Sequence, residues 1–109
     1  MEQIMRRLNC ILEDTTKLCF PIFANKYKKQ EIIKKKKEEI DDDIELILSQ
    51  NHLYLNQFMN HRKELWKNAE TDAHEFFQTL PDDIQINSFY FQEVMHRYVE
   101  YIKQFILNV

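Results

Sequence analysis

The sequence contains no glycine, in a chain of 109 residues where average usage of roughly 7% would supply several. A glycine-free chain cannot build the loops that cradle phosphate in a P-loop or a dinucleotide fold, because those loops need backbone amides brought close to the ligand. It also lacks the strained turn that presents the serine of a nucleophile elbow. Tight primed hairpins, which favour glycine at positive φ, are disfavoured too. Two causes of the absence fit together. A coding sequence rich in Lys, Asn and Ile codons depresses glycine, and helices joined by turns without positive φ do not need it.

Other scarcities narrow the class further. No apolar run approaches the roughly 18 residues that a membrane span requires. The first residues, Met1-Glu2-Gln3-Ile4-Met5-Arg6-Arg7, lack the compact apolar core of a secretory signal. Glu2, Glu13 and Asp14 oppose reading the segment as an import presequence. There are only two cysteines and no Cys-x-x-Cys or His-Glu-x-x-His motif. Cys10 and Cys19, placed in one helix, would lie half a turn out of phase and roughly 13.5 Å apart along the axis, too far to pair. Two free thiols suit a reducing compartment, and both are expected as small buried hydrophobes. The expectation is an intracellular protein, cytoplasmic or nuclear and not secreted, with no membrane partner and no cofactor.

What is present is helical periodicity. Ile4, Leu8, Ile11, Thr15 and Leu18 share one face, with Met5, Leu12 and Cys19 beside them. This first helix is predicted to run almost to Pro21, whose ring drives Phe20 out of the α region. Pro21 then suits the first turn of a second helix. That helix is long and places Phe23, Tyr27, Ile33, Ile40, Ile44 and Ile47 on one side. Ser49-Gln50-Asn51-His52 is the expected break. The third helix shows Leu55, Phe58, Arg62, Leu65, Ala69, Ala73, Phe76 and Leu80, with Trp66 at its boundary and Phe77 alongside, and is expected to end at Leu80-Pro81-Asp82-Asp83. Asn87 or Ser88 can cap the last helix, which carries Phe91, Met95, Tyr98, Ile102, Phe105 and Val109 at alternating spacings of four and three. The fold expected is all-α: one domain over residues 1–109, a small antiparallel bundle of three to four helices.

Two charge blocks stand out on the second helix. Residues 26–37 hold seven lysines (Lys26, Lys28, Lys29, Lys34, Lys35, Lys36 and Lys37) against Glu31 alone, a net +6. Residues 38–45 hold Glu38, Glu39, Asp41, Asp42, Asp43 and Glu45 with no base, a net −6. Lys34–Glu38, Lys35–Glu39 and Lys37–Asp41 are spaced for pairing within the helix. Such blocks can be plain solvated surface. They can also direct pairing, since two antiparallel copies, or a partner of complementary pattern, would set base against acid. Nucleic-acid binding through Lys26–Lys37 is the alternative. It is disfavoured by the adjoining acid run, by an overall charge of −3, and by four arginines against eleven lysines.

Glu93 and His96 have the Glu-x-x-His spacing used by carboxylate-bridged metal bundles, but the second copy that such centres require is missing. Their reading as metal ligands ranks third. Phe89-Tyr90-Phe91 cannot all face one core, so at least one ring should stand at the surface and could anchor a partner. The function expected is therefore non-enzymatic: a helical protein–protein interaction module, an adaptor or small subunit, with self-association into a homodimer as one form. The residues expected to bind the partner are Lys34, Lys35, Lys36, Lys37, Asp41, Asp42, Asp43, Phe89 and Tyr90.

Overall fold

The computed structural model describes residues 2–78 and 87–108. Among these residues there are four helices and no strand: α1 (Glu2–Thr15), α2 (Lys26–Leu48), α3 (His52–Phe77) and α4 (Ser88–Leu107). The all-α class and the small bundle expected from the sequence are what the chain adopts.

α2, α3 and α4 begin in the same way. Asn25, Asn51 and Asn87 take extended backbone, and each side-chain oxygen accepts from an amide three residues on, at Lys28, Tyr54 and Tyr90. Each cap satisfies one of the donors that a helix start leaves open. Two predicted boundaries are corrected here. The first helix stops at Thr15, not near Cys19. The Thr15 and Thr16 hydroxyls donate back to the carbonyls of Leu12 and Glu13, and such short polar side chains compete for backbone groups at a helix end. The second helix starts at Lys26, not at Pro21. Pro21 lies in the connection, where its carbonyl accepts from the Ala24 amide at 3.0 Å before Asn25 caps the helix. The break expected at Ser49-Gln50-Asn51-His52 falls at residues 49–51, with His52 opening α3. The expected roles of Leu80, of Pro81-Asp82-Asp83 and of Val109 lie outside the described residues.

α4 is the central helix. Phe91, Val94, Met95, Tyr98, Val99, Ile102 and Ile106 are all buried, at about 1.5–3 kcal/mol for each large apolar side chain removed from water. The predicted seam Phe91–Met95–Tyr98–Ile102 accounts for one side. Val94, Val99 and Ile106 make a second, because neighbours cover α4 on several faces. α3 runs antiparallel to α4: His61 packs on Phe105, Trp66 on Tyr98 and Phe77 on Tyr90. α1 is also antiparallel to α4, with Thr15 against His96 and the following residues Leu18 and Phe20 against Gln92 and Phe91. α2 contributes Ile40, Ile44, Ile47 and Leu48 to the same core. It pairs antiparallel with α3 through Glu45–Arg62 at 3.0 Å and Lys37 over the Trp66 ring.

One backbone feature departs from the expectation that no turn needs positive φ. Gln78, which ends α3, has φ 42° and ψ 119°. A residue with a Cβ occupies a position suited to glycine.

Candidate docking surface

The residues proposed from sequence to meet a partner separate into an inner and an outer set. Asp41 belongs to the inner set, only 6% exposed, which corrects its place in the acid block. Its carboxylate accepts from the Tyr98 hydroxyl on one oxygen and from Lys37 Nζ at 2.8 Å on the other. The Lys37 ammonium lies 5.5 Å from the centres of both the Trp66 and Tyr98 rings, which meet edge to face. Lys37 and Asp41 therefore tie α2 to α3 and α4. Burial pushes the Tyr98 phenol far above the ordinary tyrosine pKa, the hydrogen bond to Asp41 and that group's charge push it further, and Arg62 opposes them. Among the described residues no buried side-chain nitrogen or oxygen lacks a hydrogen-bond partner.

The outer set lies on the far side of α2. Lys34, Lys35, Glu38, Glu39, Asp42 and Asp43 are exposed, and Lys36 is half-buried. Lys36 pairs with Glu39 at 3.7 Å and Lys37 with Asp41. The pairs expected within this helix were Lys34–Glu38, Lys35–Glu39 and Lys37–Asp41, and of these it is Lys37–Asp41 that forms. Tyr27, Glu31, Lys34, Lys35 and Glu38 line an open furrow along α2.

The aromatic run behaves as three different residues. Phe91 is buried and stacks on Phe20 at 4.8 Å. Tyr90 is half-buried against Phe77, and its phenol is raised by burial and then by the Glu70 charge. Burial likewise raises the Glu70 carboxyl, against the pull of Lys37. Phe89 is 71% exposed.

Three of the exposed apolar side chains, Phe23, Tyr27 and Phe76, were expected inside. Phe23 and Tyr27, placed by periodicity on the buried side of helix two, are 96% and 70% exposed, and neighbouring Ile22 is 93% exposed. Phe76 is exposed as well, with the Arg97 guanidinium 5.2 Å from its ring centre. Leu46 at the acidic end of α2 is 66% exposed. The signal that could have revealed Ile22 and Phe23 is Asn25: reading it as a cap moves the helix start past both. Cys10 and Cys19 are exposed free thiols rather than the buried hydrophobes expected, and Cys19 lies outside α1.

Glu93 and His96 have partners of their own. Glu93 accepts from Arg97 Nε at 2.5 Å. His96 contacts the Thr15 hydroxyl through Nδ1 at 3.1 Å and Glu100 through Nε2 at 3.9 Å. Asp72, Glu93, His96 and Glu100 line one shallow furrow, but Arg97 stands among them. Among the described residues no group of three or more His, Cys, Asp or Glu side chains is placed to hold a metal ion. No described helix is long and apolar enough to cross a membrane.

The fold and surface together define a small helical bundle whose second helix presents an outer face of paired charge blocks with apolar side chains at both ends. Compared with known proteins, the chain matches no family model, no curated protein and no solved structure.

Proposed function

We propose that the protein is a non-enzymatic docking module, an adaptor or small subunit of an assembly, that binds a partner protein along α2 and at the connection before it. The observation that carries this reading is the exposure of Ile22, Phe23 and Tyr27 beside the lysine block. Scattered single apolar residues on a surface need no explanation, but three large ones within six residues form a patch of the kind that proteins cover on binding. Burying such side chains supplies affinity, and the neighbouring lysines and acids select orientation and speed the encounter. Phe89 is a further exposed apolar side chain at the same end of the bundle. The hydroxyl of the adjacent Ser88 accepts from the Phe20 amide at 3.1 Å, which brings the start of α4 to the α1–α2 connection.

Affinity capture on the full chain, with a triple variant I22S/F23S/F89S as control, tests the reading. Wild type should retain a partner in stoichiometric amount. The variant should lose it while keeping its helical circular dichroism, because all three side chains are outside the core. Retention of the same proteins by both chains would sink the proposal.

A further inference from the structure

Six exposed residues of α2 form a stripe with a symmetry of its own: Tyr27, Glu31, Lys35, Glu38, Asp42 and Leu46. Their spacings run four, four, three, four and four, so the stripe reads the same from either end about a centre between residues 36 and 37. Spacings of three and four keep neighbouring members side by side on a helix. We infer that a second copy of this chain docks on the stripe, with the two α2 helices antiparallel across a two-fold axis at that centre. The inference rests on the docking reading of α2 and names its partner.

An isologous interface requires a surface complementary to itself after a two-fold rotation. In this register Lys35 faces Glu38 of the second copy and Glu38 faces its Lys35. At the two ends Tyr27 meets Leu46, each uncovered within its own chain. A parallel pair would set lysine against lysine and acid against acid along the whole helix. Charge therefore selects the antiparallel arrangement, and the apolar ends supply contact area that charge alone lacks. Glu31 faces Asp42, a repulsion that the two-fold axis repeats just as it repeats the Lys35–Glu38 attraction. α2 has 23 residues, about 34 Å of helix, so the interface is slender and the dimer is one that salt should dissolve.

Sedimentation equilibrium of the full chain at low salt, about 20 mM, should show a monomer–dimer equilibrium, shifting to monomer by about 0.5 M as screening shortens. Lys35→Glu and Glu38→Lys should each raise the dissociation constant about tenfold, since the two-fold axis repeats each new repulsion. Mixing the two variants in equal amounts should restore association as a heterodimer. The glutamate introduced at position 35 of one chain then faces the lysine introduced at position 38 of the other, and the native Glu38 and Lys35 still face each other. Glu31→Lys should tighten wild-type association by removing the mismatch. A chain that is monomeric at low salt up to millimolar concentration overturns the inference, and so does a dimer that the mixed variants fail to restore. Either result leaves the docking reading standing if partner capture through Ile22, Phe23 and Phe89 succeeds. Loss of that capture with a salt-sensitive dimer intact would separate the two the other way.

Discussion

At the scale of single residues, the buried pairing of Tyr98 with Asp41 bears most on stability. A hydrogen bond from a neutral donor to a buried carboxylate contributes about 1.5–3 kcal/mol, and Asp41 keeps Lys37 when the phenol is removed. Tyr98→Phe should therefore cost about 1–2 kcal/mol, read as a lower urea midpoint at unchanged slope. The same residue sets an alkaline limit. Its folded pKa is raised above the ordinary value of 10.0, so its contribution is complete below about pH 10 and is lost as pH climbs toward the folded value. Stability of wild type should fall above pH 10, by up to about 1.4 kcal/mol per pH unit from this group. The phenylalanine variant should show a shallower decline, with Tyr90, also raised, supplying part of what remains. Gln78 offers the opposite case. Its positive φ costs a residue with a Cβ about 1 kcal/mol, so Gln78→Gly should raise the melting temperature by a few degrees. A melt no higher than wild type would show that the end of α3 relaxes without cost. None of this was legible beforehand. Periodicity placed Tyr98 in the core, but it carries no information on which acid, 57 residues away, would meet its hydroxyl.

At the scale of elements, three helices start on an asparagine, and each cap contributes about 1 kcal/mol. Asn51→Ala should be the most costly of the three replacements. Only three residues separate α2 from α3, so a frayed start there also loosens the turn that carries Glu45 back to Arg62. Asn25→Ala should cost least, because the first turns of α2 stand in solvent. Comparing the three thermal melts checks the ranking, and equal losses at all three would contradict it. Helices were legible because apolar spacing is a local property: the break expected at residues 49–52 falls at 49–51, with His52 already in α3, and of the two caps offered, Asn87 and Ser88, Asn87 is the one used. The two ends around Pro21 were not. The proline rule marks where a helix cannot continue, and it says less about how far short of that point two consecutive threonines will end it. The displaced start of α2 had the larger consequence, since it turned Phe23 from expected core into exposed surface, while Tyr27, in the first turn, has no neighbouring helix over it.

At the scale of the whole molecule, the charge blocks were legible as blocks but not as faces. A run of lysines and acids along a helix must point all round it, and only the packing of α2 on its neighbours shows that Lys37 and Asp41 turn inward while Lys35, Glu38 and Asp42 turn out. The radius of gyration is 14.2 Å, somewhat above the roughly 13 Å of a sphere-like domain of this length, in keeping with extents of 40 × 24 × 21 Å. In so long a body the position of α2 relative to α4 depends on few ties, and the α1–α2 connection holds one of them. Phe20 stacks on Phe91 and has the Lys29 ammonium 5.5 Å from its ring centre, while the Leu18 carbonyl accepts from Gln92 at 2.7 Å. Phe20→Ala removes the stack on Phe91, at a cost of about 2 kcal/mol, less than for a core phenylalanine because Phe20 is itself half-buried. Because the stack lies at one end of the bundle, the loss should appear first as local opening. Amide exchange should accelerate across residues 16–29, whereas the amides of α4 beyond Tyr98 keep their protection until global unfolding. Uniform acceleration along α4 would mean that the connection is part of the cooperative core rather than a clasp upon it, and the docking patch at Ile22 and Phe23 would then be as rigid as the helices beneath it.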